Sequence, residues 1–198
     1  MTVKTGKLFI ISAPTGGGKT SLAKSVIHVL HSKLPIKKVI TYTTRTPRAE
    51  EETGRDYHFI SADEFEKKRH AGFFLETTQY DGNAYGSPIS IIERTLLGQS
   101  FVLVTDRPGA AHIKTIVPAA ILIWICVPNF DIVSLRLQAR GRETDEELKK
   151  RIDLAKVEIA AEENDRIFDH HVMNDNFDAA VQQLADIIWT TAHHDKKS

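Results

Sequence analysis

The feature that most constrains this chain is a glycine-rich stretch near its N-terminus, Ala13-Pro14-Thr15-Gly16-Gly17-Gly18-Lys19-Thr20. An apolar run at residues 8–11 precedes it, and a helical pattern follows in which Leu22, Val26, Val29 and Leu30 share one face. Strand, glycine loop and helix in this order are the setting of a phosphate-binding loop. The glycines let the backbone curl so that successive N–H groups converge on one anion, and the start of the helix adds partial positive charge. Lys19 is placed to reach the β- and γ-phosphates of a nucleoside triphosphate, and Thr20 to put its hydroxyl on Mg²⁺. The usual first glycine of the pattern is Ala13 here. A plain turn between strand and helix has no need of the closing Gly-Lys-Thr.

Two further apolar runs, 101–104 and 121–127, read as strands buried on both faces. Thr144 with Glu147 three residues on forms a capping box, which predicts a charged helix over about 145–164. Asn176 or Asp175 caps a last helix carrying Ala180, Leu184, Ile187 and Ile188. This alternation predicts an α/β fold of the P-loop NTPase type, a parallel sheet sandwiched by helices. Residues 40–98 break the pattern. They are rich in Thr, Tyr and Gly, are interrupted by Pro47 and Pro88, and have one obvious helix start, Ser61 with Glu64. They read as an inserted lobe of short strands. The expected division is a core of 1–39, 99–135 and 161–198, an acceptor-binding lobe at 40–98 and a lid at 136–160.

Charge narrows the partners. Lys+Arg and Asp+Glu are 26 each, so no general basic field exists to hold nucleic acid or an anionic membrane. A phosphate-bearing partner has to be met by local clusters, and small molecules are the expected ligands. The single cysteine, Cys126, sits in an apolar run and excludes an intramolecular disulfide. The longest uncharged apolar run, 119–127, falls far short of the ~20 residues of a membrane helix, and no signal-peptide core opens the chain. A cytoplasmic monomer or small homo-oligomer is expected. The pairs His170-His171 and His193-His194 lack spaced partners, and neighbours in a strand point to opposite faces, so they are not read as metal ligands.

Beyond the loop come Thr41-Tyr42-Thr43-Thr44-Arg45-Thr46-Pro47-Arg48, then Gly54-Arg55-Asp56-Tyr57-His58-Phe59, Phe74-Leu75-Glu76 and Gly82-Asn83-Ala84-Tyr85-Gly86-Ser87. In this order after the phosphate loop, these segments closely resemble guanylate kinase, from about residue 6 to 188. The resemblance implies that Arg45, Arg48, Tyr57 and Tyr85 hold the GMP phosphate, as guanidinium forks and phenols suit a dianion. It implies that Glu76 and Thr41 read the guanine, that Ser87 lines the same pocket and that Asp106 lies near GMP and metal. Guanine presents N1–H and N2–H₂ side by side to a carboxylate, whereas adenine leaves that carboxylate unpaired. Two lost charge-assisted bonds at roughly 1.5–3 kcal/mol each give about hundredfold discrimination or more.

The resemblance also implies that ATP is held by Ala13, Pro14, Thr15, Gly16, Gly17, Gly18, Lys19, Thr20 and Asn174. Arg136, Arg140 and Arg151 lie around adenine and the transferring phosphates, so that they join Lys19 and Arg48 as the catalytic set. Positioned cations and Mg²⁺ supply most of the catalysis of phosphoryl transfer. The implied reaction is ATP with GMP, and dGMP as well, giving ADP and GDP. Relatives usually carry an acid at the position of Val104 and Gln at that of Pro108. Two other readings are a guanylate-kinase-like module that binds a phosphorylated partner without transfer, and a P-loop kinase for another phosphorylated small molecule. The retained Gly16–Gly18, Lys19 and Thr20 oppose the former, and Glu76 opposes the latter.

Overall fold

The computed structural model of the chain describes residues 5–80, 82–139 and 144–193. In chain order it forms β1 (Leu8–Ser12), α1 (Lys19–Leu30), β2 (Ile36–Lys38), β3 (Tyr42–Thr43), β4 (His58–Phe59), α2 (Ala62–His70), β5 (Phe74–Tyr80) and β6 (Asn83–Pro88). There follow α3 (Ser90–Leu96), β7 (Ser100–Val104), α4 (Arg107–Ile116), β8 (Ile121–Cys126), α5 (Phe130–Gln138), α6 (Asp145–Asn164), β9 (His170–Met173) and α7 (Phe177–His193). Five strands make a parallel sheet in the order β2-β7-β1-β8-β9.

The period-2 alternation of the inner strands explains why they are apolar throughout. Phe9 and Ile11 of β1 pack with Leu22, Ala23 and Val26 of α1 and Leu184 and Ile188 of α7. The intervening Leu8 and Ile10 pack on the other face with Ile91 of α3 and Ile113 of α4. Each face of the sheet is therefore a core, and β1, β7 and β8 fall on the three runs expected from the sequence. The two outer strands were not foreseen. In β2 only Ile36 is buried, and in β9 only Val172. Covered on little more than one residue each, they carry no apolar run.

The helix signals hold locally. Thr144 Oγ1 accepts the Glu147 N–H and Glu147 Oε2 accepts the Thr144 N–H, a complete capping box at the start of α6. Ser61 Oγ accepts the Glu64 N–H at 3.2 Å. Of the two candidates before α7, Asn176 is the one whose Oδ1 accepts Ala179 N–H, at 3.0 Å. Val29 departs from expectation and is 41% exposed. Ala23 belongs to the buried stripe with Leu22, Val26 and Leu30, which moves the centre of that stripe away from Val29.

Residues 42–88 contribute a second, four-stranded sheet in the order β4-β3-β6-β5. Its long hairpin β5–β6 pairs antiparallel and sets Glu76 opposite Ser87, after a bulge between Phe74 and Glu76. At the bulge both Leu75 and Glu76 are buried, which strict alternation forbids. Helix α3, absent from the sequence reading, returns the chain to the main core through Ile91. No helix among the described residues is long and apolar enough to cross a membrane.

Leu122, wholly buried in β8 between β1 and β9, tests the packing. Leu122→Ala is expected to cost about 2–5 kcal/mol in urea unfolding. A loss under about 1 kcal/mol would show that this face of the sheet is not a close-packed core.

Candidate active site

The loop between β1 and α1 owes its shape to two residues with positive φ, Gly16 at 79° and Gly18 at 90°. Gly17 is needed for a different reason: a Cβ there would come within 2.9 Å of both the Ala13 methyl and the Pro14 carbonyl oxygen. Ala13 is therefore accommodated because Gly17 yields the space, and its methyl joins the core. Gly18 occupies the N-cap of α1 without a side-chain cap, so the first N–H groups of that helix receive no capping oxygen from it. That array is suited to an anion.

Behind the loop, buried Asn174 donates from Nδ2 to the Gly17 carbonyl at 2.9 Å. Arg136 donates from Nη2 to the Asn174 carbonyl at 2.9 Å. These two residues brace the loop from just after β9 and from α5 and do not line the cavity in front of it. Arg140 lies outside the described residues.

The cavity, of about 200 Å³, draws together most of the residues expected from the sequence. Thr15, Gly16, Lys19 and Thr20 come from the loop and α1; Thr41, Arg45, Arg48, Tyr57, Glu76 and Tyr85 come from the second sheet and its connections. Asp106 follows the end of β7, and Arg151 projects from α6. Ala13, Pro14, Gly17, Gly18 and Ser87 are not at its surface. A neighbouring cavity of about 490 Å³ shares Thr78, Tyr80, Asp106, Arg151 and Glu158 with it.

At one end, Glu76 is 5% exposed, and Ser87 Oγ donates to its Oε1 at 2.7 Å. Ser87 thus orients the carboxylate from behind. Glu76 Oε2 is buried without a hydrogen-bond partner. Burial pushes the Glu76 carboxyl up to about 7; the Ser87 bond opposes the rise, and the negative Asp106 adds to it. Asp106 is itself fixed, with Oδ1 accepting Gly109 N–H at 2.8 Å and Oδ2 accepting the Thr78 hydroxyl at 2.6 Å. An unsatisfied buried acceptor is costly in a folded protein, and a ligand edge with paired donors removes that cost.

At the cationic end, Arg45 Nη2 donates to both oxygens of Glu51, at 2.9 and 2.8 Å, and its guanidinium lies 5.6 Å from the Tyr57 ring centre. Glu51 also accepts Arg48 N–H at 2.9 Å. Burial alone would raise the Glu51 carboxyl, but Arg48 N–H and the Arg45 guanidinium hold it below the ordinary carboxylate range. The chain entering Tyr57 is pinned by Asp56, 4% exposed, which accepts from Lys24 Nζ at 2.7 Å and Arg55 Nε at 2.8 Å. Those bonds, Lys24 first, keep it ionised far below its usual range despite burial.

Sequence reasoning missed Glu51, Asp56, Thr78 and Glu158. Glu51 sits in Glu50-Glu51-Glu52, which reads as solvated charge. Glu158 had a usable signal: it follows Arg151 by two helical turns and so shares its face. Val104 and Pro108, where an acid and Gln were expected, are accommodated by their neighbours. Val104 packs on the core at the cavity edge, and Pro108 stands in the first turn of α4, where its missing N–H is harmless.

For Mg²⁺, the Thr20 hydroxyl in the cavity is a hard oxygen donor. Among the described residues no group of three or more His, Cys, Asp or Glu could hold a metal. This donor set fits an ion bound chiefly by phosphates and water, not a caged one.

The parallel sheet, the uncapped glycine loop and a polar cavity over the strand ends define a P-loop nucleotide-binding protein. Comparison narrows the class. The family model for guanylate kinase matches residues 5–191. A guanylate kinase of Nitrosospira multiformis is 35% identical over 189 residues, covering 95% of this chain and 87% of its own. One from Thiobacillus denitrificans is 39% identical over 183 residues, covering 92% and 85%. The chain belongs to the guanylate kinase family. In fold, the crystal structure of guanylate kinase from Anaplasma phagocytophilum is similar with a TM-score of 0.76, at 24% identity over 98% of this chain and 90% of that one.

The raised Glu76 carboxyl predicts a pH dependence. Above about 7 the group is an ionised acceptor; below it the added proton turns an oxygen into a donor, which would oppose the N–H groups of a guanine placed against it. Affinity for GMP, measured by calorimetry, is expected to fall as pH drops through 7, by up to about tenfold per unit. Glu76→Gln should bind weakly at every pH. A flat profile in the unaltered protein would remove Glu76 from the base site.

Proposed function

We propose that this protein transfers the γ-phosphoryl group of ATP to GMP, and to dGMP, giving ADP and GDP with Mg²⁺ as the cofactor. The observation that carries the reading is one cavity in which Lys19 and Thr20 of the loop face Arg45, Arg48, Tyr57, Tyr85 and the unpartnered oxygen of Glu76. A triphosphate cradle and an acceptor cradle in a space of about 200 Å³ leave their phosphates in reach of one another.

The roles follow from the chemistry of each group. The loop amides and Lys19 bind the donor phosphates. Arg45, Arg48, Tyr57 and Tyr85 bind the acceptor phosphate, and Thr41 and Glu76 select guanine, with Ser87 setting the rotamer of Glu76. Bound Mg²⁺, held by Thr20, supplies positive charge against the phosphate oxygens. Arg48 and Arg151 offset the charge that spreads over the transferring group, with Arg140 added to that set on resemblance alone. Arg136 and Asn174 act one step back by holding the loop. The core is residues 1–39, 99–135 and 161–198; residues 40–98 form the GMP lobe, and 136–160 form a lid that closes to exclude water. The setting is the cytoplasm, with small nucleotides as partners.

An ADP-release assay with GMP, dGMP, AMP, UMP and no acceptor tests the reading. GMP and dGMP are expected to turn over, with AMP slower by about a hundredfold or more in kcat/KM. AMP serving as well as GMP would refute the assignment of Glu76. Lys19→Met is expected to lower kcat by roughly 10²–10³-fold or more, with an unchanged circular dichroism spectrum and urea midpoint.

A further inference from the structure

One contact in the cavity runs against the chemistry of an anion site. Glu158 reaches from α6 to the phosphate loop, where its Oε2 accepts the Thr15 N–H at 2.7 Å, across 143 residues of sequence. Both residues line the cavity, together with Lys19 and Arg151. Tyr80 Oη lies 3.3 Å from Thr15 Oγ1, so β5 meets the loop at the same point. Burial raises the Glu158 carboxyl, and the groups that draw it back toward the ionised form are Thr15 and Lys19. Those are the groups the loop offers to phosphate. Phosphoryl transfer brings further negative charge here, which a fixed carboxylate opposes at any dielectric. Nor does the proposed reaction need an acid or base on this helix.

We propose that Glu158 is an internal stand-in for the donor's terminal phosphate, its carboxylate holding the Thr15 N–H of the loop and yielding that position to phosphate on ATP binding. The proposal rests on the reading of the loop as the ATP site. Helix α6 also carries Arg151, two turns before Glu158 and on the same face. Exchanging the carboxylate for a phosphate replaces a like charge beside the incoming group while leaving Arg151 in place to meet it. The position of α6 is therefore coupled to whether the loop holds an anion. The cost falls on donor affinity, since ATP competes with a ligand tethered at high effective concentration. GMP, gripped from the second sheet, does not compete with it.

The test is calorimetric binding of ATP, of inorganic tripolyphosphate and, separately, of GMP to the full chain and to Glu158→Gln and Glu158→Ala. Both variants are expected to bind ATP and tripolyphosphate about tenfold more tightly, with GMP affinity unchanged within about twofold. Two variants guard against a residual hydrogen bond from the amide, and a urea midpoint for each confirms folding. Unchanged or weaker binding of ATP and tripolyphosphate in folded variants overturns the stand-in, because it makes Glu158 neutral or helpful toward the donor. If the unaltered chain binds neither polyphosphate while still binding GMP, the reading of the loop fails and the stand-in falls with it. Turnover with GMP in the unaltered chain separates these cases, since it stands whichever way Glu158 behaves.

Discussion

Backbone N–H groups left without a capping side chain at the start of α1 set the terms for the rest of the molecule. Gly18 holds the N-cap position in a left-handed conformation and offers no oxygen to the helix it begins. Such a loop has little to stabilise it from within, so its shape is imposed from outside. β1 fixes one end by burying alternate residues in two opposed cores. Asn174 fixes the middle through the Gly17 carbonyl, and Arg136 holds Asn174 in turn. Conformational freedom is removed before a ligand arrives, which is the physical content of preorganisation.

Glu76 and Glu158 line the cavity and Glu51 stands behind it on Arg45, and their surroundings give these carboxylates different characters. Glu51 has a guanidinium and a backbone amide on it, and these outweigh burial and keep it ionised. Glu76 has one hydroxyl on one oxygen and nothing on the other, so burial prevails and the group titrates near neutrality. Glu158 is raised by burial, drawn back by Thr15 and Lys19, and pushed up further by Asp106. The balance of burial against hydrogen bonding and nearby charge thus sets the character of each acid. Glu51 serves a further purpose, because both its oxygens accept from Arg45 Nη2 while Nη1 donates to the Thr46 carbonyl, and these bonds fix the guanidinium.

What the sequence disclosed follows from how local each signal is. The phosphate loop, the capping box at Thr144 and the three doubly buried strands are written in contiguous residues, and the structure has them where they were expected. Most of the candidate site residues fall on one cavity for the same reason, since the segments bearing them were recognisable in order. Strands β2 and β9 were illegible because each buries a single residue and is defined by its neighbour's hydrogen bonds. Glu51 and Glu158 were hidden because a charged side chain on a loop or helix reads as solvated until its partner is known. Those partners are Arg45 in one case and Thr15, 143 residues away, in the other.

The departures at Ala13, Val104 and Pro108 are accommodated locally by the fold. Each is taken up by its neighbours: Ala13 by the missing side chain of Gly17, Val104 by the core at its back, and Pro108 by the first turn of α4. With Val104 apolar, the cavity end beside β7 keeps Asp106 as its acid, and both Asp106 oxygens already accept protein donors. Glu76 Oε2 is then the carboxylate oxygen at this end that is buried and still without a donor. Gly109 stands close beside this atom, since a Cβ there would come within 3.2 Å of it, and on the proposed reading this atom carries the discrimination between purines. A site that reads its substrate through one buried acceptor gains selectivity from the penalty of leaving that acceptor unpaired, which is the stronger of the two ways a pocket can discriminate.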